Sequence, residues 1–122
     1  MYHLFLNYYL DNDDNIYKQC YTKCSECSKA GNSSNHNCDV CEEGYTFIND
    51  TVATKNNCYQ ICPNYYYFSS YSNKYYYYCV NTCPTTYNKI IEPKKRCIDD
   101  CKKDEEYIYE YNNKCYKVCP IN

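Results

Sequence analysis

The chain has 122 residues, 13 of them cysteine and 20 tyrosine, with 13 basic and 15 acidic residues and a net charge of −2. Leu, Ile, Val and Phe together number 18, too few for a chain of this size to hold itself by an aliphatic core. Charge so mixed and balanced sets up no field for a phosphate backbone or an anionic membrane surface, which argues against nucleic acid as a partner.

Cysteine at nearly 11% is the composition of a disulfide scaffold, and lasting disulfides belong to oxidising compartments. Disordered chains are poor in aromatics and high in net charge, so this composition argues for a folded chain. The abundance of Asn, Lys and Tyr also fits an AT-rich coding bias, so no single tyrosine is read as selected for a task.

Residues 1–19 read as an N-terminal extension. Met1 to Leu10 (MYHLFLNYYL) is the most apolar stretch, yet it makes a poor secretory leader: no Lys or Arg precedes it, Asn7 interrupts it, and no small-residue cleavage site follows. With disulfides expected throughout, the reading is of a fragment or a misplaced start. No stretch approaches the roughly 20 apolar residues needed to span a bilayer. Asp11-Asn12-Asp13-Asp14-Asn15 has the acidic density of a calcium loop, but Ile16 stands where an EF-hand needs glycine and Thr22 where it needs glutamate. A solvated linker is the expectation.

Residues 20–41 are the densest in cysteine. Cys24-x-x-Cys27 and Cys38-x-x-Cys41 offer four thiolates, as tetrahedral zinc requires, and an intracellular zinc module is one alternative. The ten-residue gap between the pairs is shorter than in common paired motifs, and this reading leaves the other nine cysteines as reactive thiols. His36, among Asn and Ser, reads as a loop residue. Asn32-Ser33-Ser34 and Asn49-Asp50-Thr51 are N-glycosylation acceptor patterns in expected loops, making Asn32 and Asn49 candidate acceptors.

From residue 41 to 119 the chain becomes a repeat. Cys-x-x-x-Cys occurs at Cys58–Cys62, Cys79–Cys83, Cys97–Cys101 and Cys115–Cys119, with starts 21, 18 and 18 residues apart and proline after three of the four. Such periodicity marks a small unit stacked along the chain. Tyrosine-rich segments (Tyr45 to Phe47, Tyr65 to Phe68, Tyr107 to Tyr109) lead to polar turns at Asn49-Asp50, Ser72-Asn73, Glu92-Pro93 and Asn112-Asn113, which suggests short hairpins. No segment keeps a 3.6-residue apolar period, so helix is disfavoured.

The spacing C-x3-C-x2-C-x10-C-x2-C-x16-C-x3-C-P from Cys20 to Pro63 resembles the furin-like cysteine-rich repeats of the growth-factor-receptor superfamily, and the later C-P-x-x-Tyr loops look like its single-bridge modules. The resemblance covers residues 20–122 and rests on cysteine spacing. It implies an elongated stack of disulfide-closed modules with short β-hairpins and little or no helix. It also implies a pairing: Cys20 with Cys27 interlaced with Cys24 to Cys38, then Cys41 to Cys58, Cys62 to Cys79, Cys83 to Cys97 and Cys101 to Cys115. Cys119 is the remainder, at the start of a further module (residues 120–122) whose closing cysteine would lie beyond the chain. The sequence departs from the family where Lys102 replaces proline and where glycine is missing after Pro63 and Pro84.

No catalytic constellation is visible. His3 and His36 are the only histidines, and Glu42-Glu43, Asp99-Asp100 and Asp104-Glu105-Glu106 are expected on exposed loops. Tyr75 to Tyr78 opposite Tyr65 to Tyr67 could form a stacking platform, but this bow carries only Lys74, and packing over disulfides and the neighbouring bow is the simpler role. The reading is an extracellular, non-enzymatic spacer and protein-interaction surface without cofactor. Its partners are proteins; this segment makes no membrane contact, although the whole protein is expected to be anchored. A second alternative is the non-catalytic tail of a convertase-like protease or a receptor kinase.

Overall fold

The computed structural model describes residues 6–48, 50 and 52–120. Among them the regular structure is twelve short strands and two three-residue 3-10 turns, a small, disulfide-rich, mostly β fold. Six disulfides join Cys20–Cys27, Cys24–Cys38, Cys41–Cys58, Cys62–Cys79, Cys83–Cys97 and Cys101–Cys115, the same pairs that the resemblance implies. The chain divides into two compact units, Met1–Asn49 with Ala53–Ile61, and Asp50–Val52 with Cys62–Asn122. The sequence reading groups the Cys41–Cys58 bow with the later repeats, whereas the fold assigns it, apart from residues 50–52, to the first unit.

The first unit contains three antiparallel strand pairs. β1 (Tyr8–Asp11) pairs with β2 (Ile16–Gln19) through a turn that holds Asn15 at φ 58°. The acidic stretch expected to be a linker is this turn: the Asp11 carboxylate accepts the Asp13 N–H at 3.0 Å, and Lys18 reaches Asp11 at 2.6 Å and Asp14 at 2.9 Å. Its carboxylates close a hairpin instead of binding solvent alone. β3 (Cys24–Cys27) pairs with β4 (Cys38–Cys41) with a register shift at Glu26, and β5 (Tyr45–Phe47) with β6 (Cys58–Gln60). The connection from β5 to β6 is ten residues long; the polar turn expected at Asn49-Asp50 falls within it, with Asn49 outside the described residues. The core here is sulfur: Cys20, Cys24, Cys27, Cys38 and Cys58 are buried together, with Tyr9, Tyr21, Cys41 and Tyr45 packed around them.

The second unit is one six-stranded sheet built from three hairpins, in the order β11-β12-β9-β10-β7-β8. These are β7 (Tyr65–Tyr71) with β8 (Lys74–Val80), β9 (Lys89–Ile91) with β10 (Arg96–Ile98), and β11 (Tyr109–Tyr111) with β12 (Lys114–Tyr116). The hairpins merge because the second strand of each bow lies parallel to the first strand of the bow before it. Arg96 stands opposite Tyr66, and Lys114 opposite Ile90. In both cases the residue immediately before the closing cysteine makes the junction. A continuous sheet is more than the separate hairpins expected from the turns, and it encloses a small core of Ile91, Ile98, Cys101 and Cys115 with Tyr107 against it.

Asparagine makes these turns possible. Ser72-Asn73 (φ 51° and 63°) and Asn112-Asn113 (φ 51° and 62°) are two-residue hairpin turns with both residues left-handed, the arrangement whose twist matches that of paired strands. Of nine non-glycine residues with positive φ among those described, seven are Asn. Asn tolerates this conformation better than other side chains, and the chain has only two glycines.

Candidate interaction surface

Alternation along β7 and β8 sorts their side chains onto two faces. Tyr66 and Phe68 fall on the face shared with Arg96, and both are buried. Tyr77, opposite Phe68, lies 5.4 Å from the Tyr66 ring and 5.3 Å from Phe68, with its hydroxyl 3.0 Å from Cys62 Sγ. These rings cover a bridge and supply apolar area.

The other face carries Tyr65, Tyr67 and Tyr71 on β7 with Tyr76 and Tyr78 on β8. Tyr67 is stacked between two rings, Tyr78 across the hairpin at 5.2 Å and Tyr87 of the 3-10 turn Thr85–Tyr87 at 5.0 Å, both at 27°. Tyr65 donates its hydroxyl hydrogen to Glu92 Oε1 at 3.1 Å and lies under Lys95. Tyr78 is 46% exposed, Tyr76 43% and Tyr71 71%. Held by a rigid strand pair and a ring stack, these tyrosines offer apolar faces with hydroxyl tips at low entropic cost, the chemistry favoured at protein interfaces.

Behind the sheet lies a charged cluster that sequence reasoning missed. The Arg96 guanidinium is buried against Phe68 and forms ion pairs with the buried carboxylates of Asp50 and Asp104. Lys94 reaches Asp104 at 2.8 Å, and the other Asp104 oxygen accepts the amides of Glu106 and Tyr107 at 3.0 and 2.9 Å. Burial pushes the Asp104 carboxyl up, but the bonds from Lys94, Tyr107 and Glu106 outweigh it and hold the group below its ordinary range. Asp104 was expected on an exposed loop; the only arginine in a lysine-rich chain was the available signal that a planar, buried ion-pairing site exists. A cleft of about 220 Å³ lined by Phe68, Ser70, Tyr75, Arg96 and Lys103 opens beside the cluster. Its cations are already engaged, Arg96 as described and Lys103 with Asp99 at 2.8 Å.

The four cysteines of the zinc alternative are distributed over three bridges, Cys20–Cys27, Cys24–Cys38 and Cys41–Cys58. Their sulfurs are bonded to other sulfurs and are not thiolate ligands, and no group of His, Cys, Asp or Glu among the described residues is placed to hold a metal. That reading is corrected. Cys119 is exposed and outside the six bridges. His36 is in a loop, as expected, but it is buried and takes part in the first unit's packing. Asn32 lies exposed in the β3–β4 loop, whereas Asn49 is outside the described residues.

Comparison with protein-family models, curated proteins and solved structures finds no match. The chemistry of the bonds is what speaks to compartment: six disulfides belong to an extracellular or secreted, oxidising environment.

Proposed function

We propose that this chain is a run of furin-like cysteine-rich modules from the extracellular region of a cell-surface or secreted protein. It acts without catalysis, as a spacer and a protein-interaction surface, and the tyrosine face of β7 and β8 is the contact region. The observation that carries this reading is the Tyr78–Tyr67–Tyr87 stack with exposed Tyr76 and Tyr71 beside it, fixed on a sheet that grows by one disulfide-closed hairpin per repeat. Such a surface is preorganised, so little ordering is lost on contact.

The test is surface labelling of intact cells that make the protein, combined with alkylation of thiols before lysis. The expected result is labelling without permeabilisation and twelve cysteines resistant to alkylation. Labelling only after permeabilisation, with most cysteines alkylated, overturns the proposal.

A further inference from the structure

We infer that Asn32 is an acceptor for an N-linked oligosaccharide. The inference rests on the extracellular reading, because the lipid-diphosphate-linked oligosaccharide donor and its transferase are met on the secretory route.

Asn32-Ser33-Ser34 carries the acceptor pattern, and its three residues are exposed at the loop between β3 and β4. The loop is pinned from its inner side. His36 is buried, its N–H donates to Asn57 Oδ1 at 2.8 Å, and Asn57 Nδ2 returns a bond to the Ser34 carbonyl at 3.0 Å. Gly31 passes so close to the His36 carbonyl that an added Cβ would stand 1.9 Å from its oxygen. With that side fixed against the sulfur core, the acceptor pattern faces outward.

The local geometry also separates the two ends of the Asn32 amide. Oδ1 accepts the backbone N–H groups of Ser34 and Asn35, each at 2.9 Å. The backbone N–H of Asn32 donates to the Asn35 carbonyl at 2.8 Å. Nδ2 makes no hydrogen bond to the described residues, and it is the atom that must react. In the transfer, a bond forms between Nδ2 and C1 of the donor sugar as the bond from C1 to the diphosphate oxygen breaks. The lipid diphosphate leaves with the electron pair, one Nδ2 proton passes to base, and nothing is oxidised or reduced. The finished linkage keeps Oδ1 and its two bonds, so the glycan is compatible with the loop as folded.

The experiment expresses the full chain behind a supplied, cleavable secretory leader in eukaryotic cells, so that export does not depend on the protein's own signals. Secreted protein should shift in mobility on treatment with peptide N-glycosidase, and peptide mapping should find aspartate at position 32 after that treatment. Asn32→Gln and Ser34→Ala should each abolish modification of this peptide. Ser34→Thr should retain it, and Asn49→Gln should leave it unchanged. Ser34→Ala keeps the backbone bond to Asn32, so its loss of modification reports the hydroxyl and not the turn. An unmodified Asn32 in secreted chain carrying all six bridges overturns the inference while leaving the extracellular reading intact. The extracellular reading fails separately, in the surface-labelling and alkylation experiment on the cells that make the protein.

Discussion

His36 Nδ1 accepts the backbone N–H of Cys58 at 2.9 Å, so an imidazole buried 22 residues upstream holds the closing cysteine of the Cys41–Cys58 bow. The same ring stacks on Tyr21 at 4.3 Å, and the His36 backbone is tied to Asn57. Replacing His36 with Ala leaves a buried amide donor unsatisfied, a cost of about 1–3 kcal/mol. Urea unfolding of the oxidised variant, followed by tyrosine fluorescence, should show that loss at neutral pH.

The same bond sets a pH dependence. Burial, reinforced by the charge of Lys23 and opposed by a backbone bond with Ser33, lowers the His36 pKa below its ordinary value. Protonated Nδ1 would also point a hydrogen at the Cys58 N–H. With the folded pKa lowered, the stability tied to neutral His36 is complete above the unfolded value of about 6.5. It declines as the pH falls from there through the lowered folded value. Exchange protection at the Cys58 amide should fall on acidification from pH 7 to pH 5, and His36→Gln should flatten that response.

Arg96 gives the second prediction. Removing one member of a buried ion cluster costs about 3–5 kcal/mol, because like charges then stay buried together with part of their compensation gone. Arg96→Met takes the guanidinium from between the buried carboxylates of Asp50 and Asp104, so its denaturation midpoint should drop far more than that of Lys103→Met, whose ion pair is exposed. Acid should weaken the same unit. Asp104 has a lowered pKa, so its contribution is present above the unfolded value of about 3.9 and is lost as the pH falls through the lower folded value. Melting of Asp104→Asn should depend less on pH below 4 than melting of the unsubstituted chain.

The parts of this fold legible in sequence are those governed by local spacing. Cysteine intervals carry the division into bows, and Ser72-Asn73 and Asn112-Asn113 announce hairpins because two-residue left-handed turns demand such side chains. What joins the bows was not legible. The parallel contacts at Tyr66 opposite Arg96 and Ile90 opposite Lys114 join a basic residue just before a closing cysteine to an apolar or aromatic one in the bow before, and no spacing within a bow announces such a pairing. Asp50 and Arg96 are 46 residues apart, and no local pattern connects a loop carboxylate with a strand guanidinium. Composition suggested coding bias for the asparagines, although seven of them hold positive φ. The exposed tyrosine face could be anticipated from strand alternation, but the Tyr67–Tyr87 stack depends on a 3-10 turn in the next bow.

Reduction gives a third prediction. The bridges close segments whose cysteines are 7 to 17 residues apart, and closing a loop of about 15 residues stabilises by roughly 3 kcal/mol in the chain-entropy model. Several such terms compare with the whole stability of a typical domain, about 5–15 kcal/mol. Full reduction at neutral pH should therefore abolish hydrogen-exchange protection in both units. Protection that survived in the β7–β8 pair would show that the aromatic packing is sufficient by itself.

The last prediction separates the two faces of β7 and β8. Phe68 is 6% exposed and packs on Tyr66, Tyr77 and Arg96, so Phe68→Ala should cost about 3–5 kcal/mol, the range for emptying a buried aromatic site. Tyr76 and Tyr78 project from the opposite face and are close to half exposed. The joint variant Tyr76→Ser with Tyr78→Ser loses mainly the cross-strand stack on Tyr67, a contact of the 0.5–1.5 kcal/mol order. Its six bridges should form normally and its unfolding midpoint should move little. If the face is a contact region, this variant should still be displayed on cells but should lose crosslinking to neighbouring surface proteins. The unsubstituted chain and a Lys74→Ala control should retain that crosslinking. Equal crosslinking by the double variant would remove the tyrosine face from the proposal, and a collapse in stability would reassign these rings to packing.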